Sequence, residues 1–185
     1  TFSDAAGRVR AVAGGRVILQ DHSPARIGNP MCIMPERVEQ IIDDATRFCA
    51  HVGYRGFANF DIKYDERDGR YKFFEVNTRA GRNTYYMALG GVNIAKLFVD
   101  EYVLGREIPY QEGYGDRLYT CVPARVVRNH VADPQVRAET LAYYRDGRIG
   151  YPYDWPGDTL AHKLWAKITW MHQVDKFKRY MDVVA

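Results

Sequence analysis

Two β-prone stretches, residues 57–64 and 71–77, carry the side chains best suited to chemistry. In the first stretch apolar and polar residues alternate, as in a half-buried strand, and Gly69 in the intervening segment suits a turn. We expect an antiparallel hairpin in which Asp65 pairs with Tyr71, so that polar side chains of the two strands share one face. The facing pairs are Asp61 with Glu75 and Asn59 with Asn77.

The two facing acids predict a metal site. Directly opposed side chains in an antiparallel ladder lie about 4.5–5.5 Å apart at Cβ, and like charges there are destabilising. A divalent cation would compensate both carboxylates, and Asp, Glu and Asn oxygens are ligands that Mg²⁺ accepts together with phosphate oxygens. Two other interpretations stay open: the register slips, or Lys63 and nearby arginines neutralise the acids.

Two arginines, Arg79 and Arg82, follow the acidic end of the second strand. A guanidinium group is suited to a planar fork around a carboxylate or a phosphate. A cation site beside guanidinium groups is what the transfer of a phosphoryl group to a carboxylate requires, because the negative charges must be neutralised where they meet. The alternative is that both arginines are ordinary surface charges.

The composition is that of a globular protein with one domain, or one domain and an appendage. The 185 residues carry a formal charge of +3, and 46% of them are apolar, which excludes intrinsic disorder. No apolar run approaches the ~18 residues of a membrane span. Cys32, Cys49 and Cys121 are too widely spaced for a disulfide framework or a zinc site, and they favour a reducing, cytoplasmic setting.

Periodicity and turn residues predict an α+β fold, with an antiparallel sheet packed against helices. Besides the hairpin that carries the acids, the expected strands are Val9–Val12 and Arg16–Leu19, joined as a hairpin through Gly14-Gly15, and Tyr119–Val127. The expected helices are Pro35–Val52, closed by Gly53, then Thr84–Leu89, Ile94–Leu104, Pro134–Asp146 and Thr159 to about Val183.

The last expected helix has two interpretations. Its apolar residues Leu160, Leu164, Ile168, Met171 and Val174 form a stripe that predicts docking onto the core, with a basic face in water. Basic residues interleaved with tryptophans are also typical of a helix on a membrane surface, so residues 159–185 are a candidate for weak membrane contact. A pI near 8.7 is only mildly basic, and without a recognised motif we expect no nucleic-acid binding.

The segments FANFDIKYD and GRYKFFEVNTRAGRNTYY resemble the metal-binding core of the ATP-grasp superfamily, whose pattern is an acid on one strand and E-x-N-x-R on the next. The E-V-N-T-R match is similar to that of biotin carboxylase and carbamoyl-phosphate synthetase. The continuation A-G-R-N-x-Y-Y and then G-G-V-N-I-A-K resembles the carboxylate–amine ligases related to D-aspartate ligase, which add an amino acid to peptidoglycan precursors. The resemblance covers about residues 8–105.

The resemblance implies ATP and two Mg²⁺ ions as cofactors, with Mn²⁺ as a substitute. Asp61 and Glu75 would bind the metal, with Glu75 bridging both ions and Asn77 on the second, so that Glu75 and Asn77 also face the nucleotide. Arg79 would contact the acyl phosphate or the carboxylate substrate, and Arg82 would share that role. The implied reaction joins a carboxylate to an amine through an acyl phosphate. A bicarbonate-phosphorylating activity and a non-catalytic binding module are the alternatives.

The resemblance also has two departures. Some members carry an arginine where this chain has Asn59, and neither the two nucleotide-binding lysines nor the glycine-rich lid of the family is recognisable in residues 1–60. Because the first residue is Thr1 and not Met, we expect an N-terminal half of the same polypeptide to supply them, and this chain alone to be inactive. Residues 1–105 would be the C-terminal half of the catalytic domain, and 106–185 a mostly helical extension.

Overall fold

The computed structural model describes residues 1–81, 83–153 and 155–181, and it divides into two compact units. The first unit comprises Thr1–Gly14 and Glu36–Gly115, and the second comprises Gly15–Pro35 and the chain from Asp116 onward. Both units combine a mixed sheet with helices, which confirms the α+β class. These units differ from the predicted segments 1–105 and 106–185, whose standing as domains stays a prediction.

The first unit is built on a four-stranded sheet of short strands: β1 (Phe2–Ser3), β2 (Val9–Val12), β5 (Gly56–Phe57) and β8 (Gln111–Glu112). They lie in the order β5-β1-β2-β8. The β1 strand pairs antiparallel with β2 and β5, whereas β8 runs parallel to β2. Buried apolar side chains of the sheet and the helices beside it form the core: Phe2, Ala11, Met87, Val92, Leu97 and Ile108.

Three helices and a hairpin complete this unit: α1 (Glu39–His51), β6 (Asn59–Asp65), β7 (Arg70–Asn77), α2 (Tyr85–Leu89) and α3 (Ile94–Tyr102). The prediction for α1 was wrong at its start, because Pro35 ends a strand and the helix begins only after Val38. Its predicted end is confirmed, since Gly53 adopts a positive φ of 61° directly after the helix. Asn93 caps α3, and its side chain accepts a hydrogen bond from the backbone N–H of Lys96 at 3.0 Å.

The second unit combines a four-stranded sheet with three helices. Its elements are β3 (Gly15–Gln20), β4 (Pro30–Pro35), β9 (Leu118–Thr120), α4 (Ala124–His130), α5 (Pro134–Arg145), β10 (Ile149–Gly150) and α6 (Leu160–Tyr180). The strands lie in the order β10-β9-β4-β3. The core lies between the sheet and the helices and includes Leu19, Cys32, Leu118, Val122, Val126, Val127, Val136 and Phe177.

The predicted hairpin of Val9–Val12 with Arg16–Leu19 is wrong. The first of these segments pairs with β1 and β8, whereas the second pairs with β4. Gly14-Gly15 is therefore the point where the chain passes from one unit to the other, not a hairpin turn. Glycine is needed at position 15 for a different reason, because a Cβ there would overlap the side chain of Ile33 across the β3–β4 ladder.

The predicted strand Tyr119–Val127 is also shorter than expected. It ends at Thr120, whose hydroxyl donates to the carbonyl of Val122 at 2.9 Å and accepts from the backbone N–H of the same residue at 3.1 Å. Pro123 then stands at the N-cap of α4. A proline cannot donate to a β-ladder, and its fixed φ suits the entry to a helix, so the apolar residues that follow are helical.

The predicted docking stripe of the last helix is wrong as well. Leu160, Leu164, Ile168 and Met171 are exposed, and α6 packs instead through Ala166 and Phe177, with Val174 beside them. The predicted start is confirmed, since Thr159 is the N-cap of α6 and its Oγ1 accepts from the backbone N–H of His162. The expected continuation to Val183 lies outside the described residues. Within the described part of the chain, no helix has the length and apolar character to cross a bilayer.

Candidate functional site

The β6–β7 hairpin brings the predicted metal ligands together. Asp61 pairs directly with Glu75 and Asn59 pairs with Asn77, which confirms the predicted register at these four residues. Residues that pair in an antiparallel ladder share a face, and residues two apart on one strand do too. Two carboxylates and two amides therefore lie on one face of the hairpin.

These residues pair as predicted although the pairing near the turn differs from the predicted one. At the turn, Asp65 pairs with Arg70 and not with Tyr71. The register then shifts between Asp61 and Ile62, where Phe74 is the extra residue of the bulge. The bulge restores the pairing that a turn longer by one residue would have given. Without it, Asp61 would face a residue other than Glu75.

Local interactions fix the hairpin from its turn. Gly69 adopts a positive φ of 69°, and its N–H donates to the carbonyl of Asp65 at 2.9 Å. The Asp65 carboxylate accepts from the backbone N–H of Arg67 at 3.1 Å and from its guanidinium group at 2.7–2.8 Å. The turn is therefore stabilised by hydrogen bonds among its own residues, and it determines how β6 and β7 pair next to it.

Aromatic contacts hold the opposite face of the hairpin. Phe60 packs edge-on against Phe73 at 5.5 Å between ring centroids, and Tyr64 packs against Tyr71 at 5.1 Å. Phe48 of α1 contacts Phe60 at 5.7 Å. Such cross-strand aromatic contacts contribute roughly 0.5–1.5 kcal/mol each beyond the area that they bury. They oppose any slip of the register, which would move the acids to the other face.

Asp61 is the carboxylate of the site whose pKa is shifted by its surroundings. Its pKa is raised above the ordinary aspartate value, first because it is half-buried and second because of the charge of Glu75 opposite. A hydrogen bond from Asn59 and the charge of Arg79 act in the other direction. Within the described part of the chain, neither carboxylate of the pair forms an ion pair. The two acids therefore repel each other and favour a cation between them.

Asn59 supports Asp61 in a way that sequence reasoning did not identify. Its amide Nδ2 donates to Asp61 Oδ1 at 3.4 Å. A Cβ at Gly81 would lie 3.3 Å from Asn59 Oδ1, so the glycine lets the loop after β7 pass close to this amide. The sequence predicts Asn59 on the polar face opposite Asn77 and shows it as a departure from the arginine of some family members, but it does not predict the hydrogen bond to Asp61. The useful signal was its place two residues before Asp61, on the same face of the strand.

A second contributor is Tyr86, on α2. Burial raises its pKa to about 12, and the charge of Asp61 adds to the effect. Its hydroxyl donates to the carbonyl of Ala13 in the same unit at 3.4 Å. Tyr86 thereby ties α2 to the segment that follows β2.

The predicted anion-binding residues follow directly after β7. Arg79 is exposed, and it donates from Nη1 to the carbonyl of Ala80 at 3.2 Å and from Nη2 to Asn77 Oδ1 at 3.5 Å. Its guanidinium group is thus held beside the predicted metal ligands while most of its donors stay available. Arg82, the other predicted residue, lies outside the described residues.

The donor set fits a Mg²⁺ site completed by substrate. No group of three or more His, Cys, Asp or Glu side chains that could hold a metal occurs among the described residues. Asp61 and Glu75 supply two carboxylates, and Asn77 supplies an amide oxygen. Mg²⁺ is commonly bound through one or two carboxylates together with phosphate oxygens and water, so this face suits a metal that arrives with a nucleotide.

A separate open cleft of about 530 Å³ in the first unit contains none of the predicted site residues. Three of its charged groups are already paired, because Arg37 binds both Glu39 and Glu112. Tyr110 also donates to Glu112 Oε1 at 3.0 Å. We therefore place the functional site at the hairpin and not in this cleft.

Comparisons with known proteins indicate which family the chain resembles. Residues 23–99, which include the whole β6–β7 hairpin, match the family model "Carbamoyl-phosphate synthase L chain, ATP binding domain". The chain is 32% identical over 189 residues to "D-aspartate ligase" of Enterococcus faecium (strain Aus0004), and the match covers 98% of this chain and 45% of that protein. No solved structure gives a significant match. The chain thus resembles the ATP-grasp carboxylate–amine ligases over nearly its whole length.

Proposed function

We propose that the protein is an ATP-dependent carboxylate–amine ligase that forms an amide or peptide bond through an acyl phosphate. The observation that carries the proposal is the direct pairing of Asp61 with Glu75, on a face that also presents Asn77 and lies beside Arg79. The similarity to D-aspartate ligase supports the reaction class. The chain spans 45% of that relative's length, so the activity is proposed for the whole protein and not for these residues alone.

In this proposal the hairpin holds the metal and phosphate end of the nucleotide. Asp61, Glu75 and Asn77 would ligate two Mg²⁺ ions, with Glu75 shared between them, and Mn²⁺ would substitute. When bound, the metal supplies positive charge that neutralises the transferred phosphoryl group. Asn59 holds the Asp61 carboxylate in place through its amide hydrogen bond. The repulsion between the acids, which Arg79 relieves only in part, favours the binding of a divalent ion.

Arg79 and Arg82 would hold the anionic substrate and intermediate. A carboxylate oxygen of the substrate attacks the γ-phosphorus of ATP, the bond to the β,γ-bridging oxygen breaks, and ADP leaves. The amine nitrogen then attacks the acyl carbon, the bond from that carbon to the phosphate oxygen breaks, and phosphate leaves while the nitrogen loses a proton. A guanidinium group beside the acyl phosphate stabilises the charge that develops in both steps.

The substrates follow from the same similarity. We propose an amino acid as one partner and a peptidoglycan precursor as the other, in a cytoplasmic setting where ATP is available. The free thiols of Cys32, Cys49 and Cys121 suit a reducing compartment. The family match names a carbamoyl-phosphate synthase domain, and this favours bicarbonate phosphorylation as the second candidate.

The test is ADP release by the full-length protein with Mg²⁺, ATP and single candidate substrates. A carboxylate–amine ligase releases ADP only when an acceptable carboxylate is present, and hydroxylamine in place of the amine gives a hydroxamate. Glu75→Gln should abolish both signals, whereas Glu66→Gln, an exposed acid in the turn of the same hairpin, should leave them unchanged. ADP release that depends on bicarbonate but on no amino acid would refute the ligase and support the second candidate.

We also propose that residues 1–185 alone are inactive and need an N-terminal half of the same polypeptide. The two lysines and glycine-rich lid that the resemblance implies for the nucleotide are not recognisable before β6. The isolated chain should therefore release no ADP under conditions in which the full-length protein does. Turnover by the isolated chain would contradict this expectation.

A further inference from the structure

The last helix, α6, has two apolar faces, and only one of them is used by the fold. On the inner face Ala166 and Phe177 are 3% and 2% exposed. Trp170 packs against Tyr151 at 4.4 Å between ring centroids, and the Tyr151 hydroxyl donates to the carbonyl of Ala166 at 3.1 Å. Lys176 also binds the buried carboxylate of Asp21. These contacts fix which face of the helix points outward.

The outward face carries a continuous apolar stripe. Its four residues follow at intervals of four, four and three, which places them on one side of a helix. Their exposed fractions are 87% for Leu160, 61% for Leu164, 47% for Ile168 and 54% for Met171. At a rise of about 1.5 Å per residue the stripe is roughly 16 Å long. Scattered exposed apolar residues need no explanation, but a stripe of this kind marks a surface that meets a partner.

Basic and aromatic side chains border the stripe. By helical periodicity Lys163 and Lys167 lie along one edge, and Trp165, 51% exposed, lies toward the other. Lys178 and Arg179 follow within the last turn, and all four cations are exposed. Asp175 is the one acidic residue in α6. Because Lys176 is engaged by Asp21, the outward surface still has four cations against one acid.

The lysines and the tryptophan beside the stripe favour a lipid surface over a protein as its partner. Lysine is depleted at protein–protein interfaces, where holding a flexible charged chain is costly. At a lipid surface, by contrast, lysine stems lie along the apolar region while the ammonium groups reach the phosphates, and tryptophan occupies the boundary. Leu160 and its three neighbours in the stripe can enter the outer acyl region, and the lysines meet anionic headgroups.

We propose that the outward face of α6, defined by Leu160, Leu164, Ile168 and Met171 with Lys163, Lys167 and Trp165 at its edges, is a docking surface for an anionic lipid bilayer. The helix lies on the surface and does not cross it, consistent with the absence of a membrane-spanning helix among the described residues. The inference does not depend on the ligase reaction, because none of these residues belongs to the hairpin site.

The test is co-sedimentation of the full-length protein with vesicles of phosphatidylcholine, with and without phosphatidylglycerol. Binding is expected only to the anionic vesicles, and it should weaken as salt rises. Lys163→Gln with Lys167→Gln should weaken binding about fivefold for each lysine, or roughly 25-fold together. Leu164→Ser with Ile168→Ser should abolish it.

The matched control is Phe98→Ser, which changes an apolar side chain of similar exposure, 50%, on α3. It should bind vesicles as the unchanged protein does. Because all substituted side chains are about half-exposed or more, thermal unfolding should change only slightly in each variant. A vesicle-induced blue shift of tryptophan emission that is lost in Trp165→Phe provides an independent readout.

Three results would overturn the proposal. The first is no binding to anionic vesicles, and the second is equal binding to neutral ones. The third is a dimer in solution that Leu164→Ser with Ile168→Ser dissociates, which would assign the stripe to a second copy of the chain. ADP release by the variants should stay unchanged, so failure here leaves the proposed reaction untouched.

Discussion

Replacing Asp61 with asparagine should stabilise the metal-free protein. Asp61 is half-buried opposite Glu75, and its raised pKa shows that the folded state disfavours its charge. At about 5 Å, two unit charges repel by roughly 1–3 kcal/mol for an effective dielectric constant between 80 and 20. Because Glu75 is exposed, we expect the lower end, about 1 kcal/mol, or roughly 2–4 °C in Tm for a domain of this size.

The stability difference between Asp61→Asn and the unchanged protein should depend on pH. A carboxyl group whose pKa is higher in the folded than in the unfolded state favours folding below the unfolded pKa, and this contribution is lost as pH rises through the folded pKa. The Asp61→Asn variant should therefore be more stable than the unchanged protein at neutral pH. The difference should vanish below the unfolded value of about 3.9.

The assay is thermal unfolding by circular dichroism across this pH range, with and without Mg²⁺. A ligand at 100 times its dissociation constant stabilises by about 2.7 kcal/mol, so saturating Mg²⁺ should raise the Tm of the unchanged protein but not that of Asp61→Asn. Asp65→Asn is the control with the opposite sign, because Arg67 lowers the pKa of that carboxyl group and its charge favours folding. If Asp61→Asn destabilises the metal-free protein at neutral pH, or keeps the Mg²⁺ shift, the reasoning fails.

Three further predictions concern the site and the packing. Arg79→Lys should lower kcat of the full-length ligase by roughly 100-fold with little change in KM for ATP, because an ammonium group cannot replace the planar fork of the guanidinium group. Steady-state ADP release measures both constants, and an unchanged kcat would place Arg79 outside the reaction. Phe177→Ala should lower the free energy of unfolding, measured in urea, by about 3–5 kcal/mol, whereas Leu160→Ala should change it by no more than about 0.5 kcal/mol. Equal losses would contradict the observed orientation of α6. Gly90→Ala should cost about 1–3 kcal/mol in the same assay, because its Cβ would overlap the backbone of Gly113; a neutral result would show that this close approach is relaxed in solution.

The site was predictable from sequence because its signals are local. Alternation around Asp61 and the turn at Gly69 determine which residues can face each other, and these signals depend on neighbours within one hairpin. The turn register was missed by one residue, since a bulge at Phe74 leaves no distinct mark in the sequence. The two errors compensated, so the predicted pairing of Asp61 with Glu75 was still obtained.

The remaining errors arose where long-range packing determines the structure. Two β-prone segments around Gly14-Gly15 looked like a hairpin, but they do not pair with each other. The first pairs with β1 and with the distant β8, and the second pairs with β4, the next strand along the chain. Periodicity identified α6 correctly, yet it could not tell which of two apolar faces is buried. Only the contacts of Phe177 and Trp170 within the second unit decide that question.

The central claim is that Asp61 and Glu75 bind the same divalent ion. It is tested most directly by anomalous diffraction from crystals of the full-length protein with Mn²⁺ and a non-hydrolysable ATP analogue. The account predicts an anomalous peak within about 2.0–2.3 Å of an oxygen of each carboxylate, with the phosphates completing the coordination. A peak that contacts only one of the two acids, or none at the hairpin with the nucleotide bound, would contradict it.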